Sequence, residues 1–196
     1  GVDLTEFTPG DTSRAQLGLP ENVTLALFAG DIRTTRKNLD TILHALVKVP
    51  HLHLAVVGSV DGSPFPGLAT SLGLENRVHF LGYRRDIAVI MRAANVFIFP
   101  SRYEACTLVL LEAMAAGLPV ITATATGGAE LVTPESGIVL PDCNDIQALS
   151  TAMSYLVNHP CLMESMGKAA RIVAEQHSWK SMARTYVDLF EELNHK

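Results

Sequence analysis

An α/β fold, a six-stranded parallel sheet with helices on both faces, is predicted by three observations. Short apolar runs rich in β-branched residues recur along the 196 residues and alternate with segments of helical spacing. Several of these runs stop at a glycine or proline, as at Gly30, Gly58, Gly82 and Pro100. Hydrophobic residues make up 48% of the chain and charged ones 18%, which suits one well-packed core and leaves little room for a second. Strands that alternate with helices pair in parallel and are covered on both faces. In such a Rossmann-like sheet, ligands bind at the carboxyl ends of the strands.

The elements follow in order. Gly1 to Pro9 and the short helix or loop from Asp11 to Gly18 form a lead-in, punctuated by Pro20. Val23 to Ala29 is the first strand, ending at Gly30. The polar loop Asp31-Ile-Arg-Thr-Thr-Arg-Lys-Asn38 carries three cations and opens a helix with Leu39, Ile42, Leu43, Leu46 and Val47 on one face. His53 to Val57 is a second buried strand, Pro64 to Leu72 a short helix, and Val78 to Leu81 a third strand. Tyr83 and Arg84 follow it, then a helix over residues 85–94. Gly58-Ser-Val-Asp-Gly62 is not G-x-G-x-x-G, so the dinucleotide fingerprint is absent.

Val96-Phe-Ile-Phe99, stopped by Pro100 and Ser101, is the fourth strand. From Leu108 to Ala116 only Glu112 is polar, so this helix is expected to be buried nearly all round. A carboxylate there needs fixed hydrogen-bond donors, and a second one, Glu104, lies eight positions earlier in the loop that opens the helix. A helix N-terminus at a strand's carboxyl end favours phosphate. Phosphate bracketed by two carboxylates suits a sugar nucleotide; an N-terminal Glu beside a helix dipole and a buried, satisfied Glu is the plainer alternative. Gly117 to Thr122 stops the helix and gives a fifth strand. Thr126-Gly-Gly-Ala-Glu-Leu-Val132 is a turn into a short helix, read first as structural, and Gly137 to Leu140 is the sixth strand. Three helices finish the chain. The last, N-capped by Ser178, carries Trp179, Met182, Ala183, Tyr186, Leu189, Phe190 and Leu193 as a core-type stripe, part of it left for exposure.

Ser101-Arg-Tyr-Glu104 through Glu112-Ala-Met-Ala-Ala-Gly-Leu-Pro-Val120 resembles the signature of retaining glycosyltransferases of the GT-B fold, group 1 or family 4 type. Their mark is two glutamates with seven residues between them, followed by A-M-A-x-G-x-P-V. The resemblance implies that Glu104 touches donor-sugar hydroxyls, that Glu112 binds the ribose diol, and that the backbone of Cys106, Thr107 and Leu108 binds the diphosphate. Lys37 falls on the family's lysine beside the leaving diphosphate. The family's arginine after the glycine is Asp31 here, which makes Arg33 the substitute, with Arg36 behind it. Gly30, Tyr83 and Arg84 fall where the donor's phosphates and base lie. Ala105-Cys106-Thr107 replaces the frequent Gly-Phe-Gly, so amide binding requires this loop to keep φ < 0.

The resemblance further implies residues 1–20 as inter-domain lead-in and 21–196 as the donor-binding domain, with an acceptor-binding half lying outside this sequence. The chemistry would be retaining, by front-face displacement, with a UDP- or GDP-sugar as donor and a glycan, lipid or small molecule as acceptor. Without that half, this chain is expected to turn over poorly. Alternatives are a nucleotide-binding module without catalysis and a sugar-nucleotide epimerase of the same fold.

Composition narrows the partners. The net charge of −5, with no basic run, gives no reason to propose nucleic acid. No stretch approaches a membrane span, although a peripheral membrane placement of the whole protein is left open. Cys106, Cys143 and Cys161 are odd in number and widely spaced, so they are read as reduced and the setting as cytoplasmic. His44, His51, His53, His79, His159, His177 and His195 show no ligand spacing with acids, and no D-x-D motif occurs, so no metal is expected.

Overall fold

The computed structural model describes residues 1–194; His195 lies outside them. The strands are β1 (Thr24–Ala29), β2 (Leu52–Val57), β3 (Val78–Gly82), β4 (Val96–Phe99), β5 (Val120–Ala123) and β6 (Gly137–Leu140). They form one sheet in the order β3-β2-β1-β4-β5-β6. Every pairing is parallel, as the strand–helix alternation requires. The α-helices are α1 (Leu39–Val47), α2 (Phe65–Ser71), α3 (Ile87–Ala93), α4 (Leu108–Ala115), α5 (Ile146–Asn158), α6 (Pro160–Gln176) and α7 (Trp179–Asn194).

The centre of the sheet is apolar on both faces. All four residues of β4 are buried, as are the last five of β1. Phe97 and Phe99 stack at 5.9 Å between ring centroids, and Phe28 meets Phe99 at 5.7 Å. Each such ring contributes about 1.5–3 kcal/mol by its burial. The chain order reverses between β1 and β4, so the loops that leave these strands diverge and open a crevice between them.

Two expectations about helices need correction. In α4, Leu108 is 45% exposed, because its first turn emerges from the sheet before α6 covers the rest. In α7 no residue is buried: Trp179, Tyr186, Val187, Leu189, Phe190 and Leu193 are all exposed. Its period fixes which residues share a face, but only a packed neighbour can bury that face, and within this chain α7 lies outside the layers. The fifth strand begins at Val120, since Gly117 takes a φ of +81° to end α4.

The lead-in is fixed to the domain. Val2, Phe7 and Leu19 join the core, and Val2 exchanges backbone hydrogen bonds with His177 and Trp179. Arg14 donates to the carbonyls of Val23 and Ala93 and to Asn95 Oδ1, while Asn95 Oδ1 also accepts from the Leu25 amide of β1.

Across β2 and β3, His53 Nδ1 and His79 Nε2 are 3.1 Å apart with nearly parallel rings. A hydrogen bond of this kind needs one neutral ring as acceptor. Burial lowers both pKa values, helped at His53 by the Arg77 charge and at His79 by His53. Because the folded values lie below the unfolded value of ~6.5, the unfolded chain binds more protons below that pH. The contribution is therefore complete above pH ~6.5 and is lost as pH falls through the depressed folded values. Thermal melts from pH 7.5 to 5.5 should show a falling Tm, with a shallower slope in His79→Phe. An unchanged slope in that variant would remove the pair as the cause.

Candidate functional site

The site is assembled on the turn that follows β1. Thr35 to Lys37 forms a single 3-10 turn, and Asn38 follows with φ +65°, the one non-glycine residue at positive φ among those described. Asn38 is fully buried. Its amide donates to the carbonyls of Pro100 (2.9 Å) and Cys143 (2.6 Å), and its Oδ1 accepts from Thr41. Those bonds hold the left-handed backbone that an asparagine tolerates better than most residues. On the other side of Lys37, the Arg36 carbonyl accepts from Ser101 Oγ and from the Arg102 amide. Arg102 also grips both carboxylate oxygens of Asp40, at 2.9 and 2.7 Å. The basic turn is thus clamped to the β4–α4 loop from both flanks.

This clamp brings Lys37 Nζ into an ion pair with Glu104 Oε1, and Arg36 Nη1 lies 3.5 Å from the same oxygen. Lys37 also sits over the Phe99 ring at 5.3 Å, a cation–π contact. Gly30 lies against both, since a Cβ there would sit at ordinary contact distance from Phe99 (3.4 Å) and the Lys37 stem (3.5 Å). Below it, Gly58 approaches so closely that a Cβ would fall 2.3 Å from the Gly30 carbonyl oxygen.

A cleft of ~550 Å³ opens over this floor, between the carboxyl ends of β1, β2 and β3 and the first turns of α4. Of the residues singled out from sequence, Gly30, Arg33, Lys37, Tyr83, Arg84 and Glu112 line it, joined by Arg36. Glu112 faces it from α4 one turn beyond Val109. Burial raises the Glu112 carboxyl above its usual range, with the Glu6 charge adding to the effect. Arg33 lines the cleft but is held by Asp31, with Nε and the Arg33 amide both donating to Oδ1. Those bonds pull the Asp31 carboxyl down to about 2. Arg36 is therefore the cation nearest Lys37 and Glu104, ahead of Arg33. Arg84 is engaged by Asp86 through both carboxylate oxygens, and Tyr83 is open to solvent.

The loop residues separate from this group. Cys106, Thr107 and Leu108 line a neighbouring cavity of ~540 Å³, closed on its far side by Met182, Tyr186 and Leu189 of α7. Helix geometry gives the reason: at 100° per residue, Val109 and Glu112 share one stripe, while Leu108 and Leu111 share the next. The Thr107 amide donates to the Gly127 carbonyl at 3.1 Å and is thus engaged within the loop. The loop does meet the condition of negative φ. Gly127 backs it, with its own amide donating to the Glu104 carbonyl at 2.8 Å. Glu130 accepts from the Gly128 amide, a bond inside the turn.

Asn38, Asp40, Ser101 and Arg102 were not singled out from sequence. The arginine stood inside the recognised signature, but its partner Asp40 is 62 residues away, and no local pattern joins the two. Among the described residues, no group of three or more His, Cys, Asp and Glu is placed to hold a metal ion.

Comparison with known proteins completes the description. The family model described as Glycosyl transferases group 1 matches residues 10–173. A D-inositol 3-phosphate glycosyltransferase of Corynebacterium kroppenstedtii is 31% identical over 210 aligned residues, covering 98% of this chain and 47% of that protein. Sucrose-phosphate synthase from Thermosynechococcus elongatus superposes with a TM-score of 0.90 at 31% identity, over 100% of this chain and 51% of its own. Anabaena Alr3699/HepE, solved in complex with UDP-glucose, gives a TM-score of 0.77 at 26% identity, over 90% of this chain and 51% of its own. The chain thus spans about half the length of the relatives it matches.

Proposed function

Because the chain belongs to the Glycosyl transferases group 1 family, we propose that its cleft binds a nucleotide-diphosphate sugar for retaining, metal-independent glycosyl transfer. The observation that carries this reading is the convergence of Lys37, Arg36 and Glu112 on one cleft at the β1/β4 reversal. Two cations suit a diphosphate. A half-buried carboxylate one helical turn further suits a ribose diol, whose hydroxyls donate to it. In this reading Glu104, held beside Lys37, accepts from the sugar.

In the reaction, the acceptor oxygen bonds to the anomeric carbon on the face from which the diphosphate departs. The carbon–oxygen bond to the diphosphate breaks with its electron pair, and the acceptor's proton passes to the departing phosphate oxygen. Lys37 and Arg36 stabilise the charge that develops there. The acceptor, a glycan, lipid or small molecule, would be bound by a part of the protein outside this chain. The UDP-glucose of the Anabaena neighbour supports a UDP-sugar, with a GDP-sugar the alternative. No described helix is long and apolar enough to cross a membrane, and the reading places the reaction in the cytoplasm. The grip of Asp31 on Arg33 and the engaged Thr107 amide favour a second reading, a nucleotide-binding module without transfer.

Calorimetric titration with UDP, GDP, ADP and their sugar conjugates, without metal, tests the assignment. One nucleotide series is expected to bind, and Glu112→Ala to weaken it by about 1.5–3 kcal/mol through the loss of charge-assisted hydrogen bonds. Unaltered affinity in that variant would sink the assignment of Glu112. Transfer by the whole protein separates enzyme from module.

A further inference from the structure

The carboxylate of Glu104 and the two cations of the cleft are bound to one another. Lys37 Nζ and Arg36 Nη1 both address the same oxygen, Oε1, and no other donor reaches this side chain among the described residues. The Glu104 side chain is only 11% exposed. Its backbone is pinned as well, because the Glu104 carbonyl accepts from Gly127 and the residue bridges to Thr126. The backbone that carries the carboxylate therefore stays in place when its cations are drawn elsewhere. Lys37 and Arg36 line the cleft in which Glu112 lies, so a diphosphate entering there competes with Glu104 for both.

We propose that Glu104 is a built-in competitor for these cations, through which the cleft discriminates sugar-bearing nucleotides from bare nucleoside diphosphates. This deepens the donor-site reading and rests on it. A bare diphosphate takes the cations and leaves a nearly buried carboxylate short of partners, which is unfavourable. A sugar nucleotide takes the same cations but brings hydroxyl donors that replace them on Glu104. The discrimination comes from the cost of stranding Glu104 as much as from contacts to the sugar, as specificity built on buried polar groups commonly does. It also weakens the hold on the nucleoside diphosphate left behind after transfer, which favours its release. Glu112 carries no cation and should not discriminate.

The test is titration of the wild-type chain, Glu104→Gln and Glu112→Ala with UDP and UDP-glucose, and with GDP and GDP-mannose. Glu104→Gln keeps the shape and removes the charge. It is expected to bind the bare diphosphate about five- to tenfold more tightly while gaining nothing for the conjugate. Glu104→Ala, checked by its melting temperature, should shift the ratio in the same direction. Glu112→Ala should weaken both ligands by a similar factor. Equal changes for both ligands in the Glu104 variants would overturn the competitor role and leave the donor site standing. If neither ligand binds any of the proteins, the donor-site reading falls and the inference falls with it.

Discussion

Replacing Lys37 by alanine is expected to lower the rate of glycosyl transfer about 10²–10³-fold, the scale on which a preorganised electrostatic donor acts at a developing charge. The lysine is held from three directions. Asn38 fixes the backbone after it, Ser101 and Arg102 fix the carbonyl before it, and Phe99 lies beneath its ammonium. Such a group needs little reorganisation when the diphosphate takes up charge. The loss should fall mainly on kcat, with a smaller change in KM, because the ammonium's interaction strengthens as the bond to the anomeric carbon breaks. The measurement is steady-state transfer by the whole protein carrying Lys37→Ala, with a Lys37→Arg variant alongside. Arginine keeps the charge but not the compact geometry and should recover part of the rate. A variant within threefold of wild type would show that Lys37 is a structural partner of Glu104 and no more.

Gly127→Ala is expected to cost about 2–3 kcal/mol of stability, the scale of an overpacked site with a strained hydrogen bond. A Cβ at this position falls 2.3 Å from the Ala105 carbonyl oxygen and 2.5 Å from that of Glu104. Both obstacles are backbone, so no flexible side chain can yield. The 104–107 loop must move away, which stretches the Gly127-to-Glu104 and Thr107-to-Gly127 hydrogen bonds together. Gly127 is not at positive φ, so the cost measures close approach and not backbone strain; Gly128, at φ +99°, would confound the two. For a domain of this size the Tm should fall by about 4–12 °C. Gly67→Ala is the control: its Cβ meets nothing within 4 Å, and alanine should hold helix α2 as well or better. Affinity for the sugar nucleotide should fall in Gly127→Ala, since Glu104 moves with the loop. A Tm equal to that of Gly67→Ala would show that the loop accommodates a methyl group.

The extended runs, the helices between them and their parallel arrangement were readable from the chain because they depend on local quantities. Val96 to Phe99 is apolar without interruption, which is what a strand covered on both faces requires. The signature around Glu104 and Glu112 was legible for the same reason, since its spacing sets positions along one loop and one helix. Three matters were decided elsewhere. Whether the stripe of α7 is buried depends on what packs against it, and among the described residues nothing covers it enough to bury any of its side chains. Which cation serves Glu104 was settled by Asp31, which engages Arg33 and leaves Arg36 beside Lys37. Which loop amides are free was settled by Gly127, twenty residues further along the chain from Thr107. Sequence by itself determined the elements, the family signature and several of the residues that line the cleft. Tertiary structure decided their partners, because an ion pair or a shared carbonyl joins side chains whose separation along the chain carries no signal.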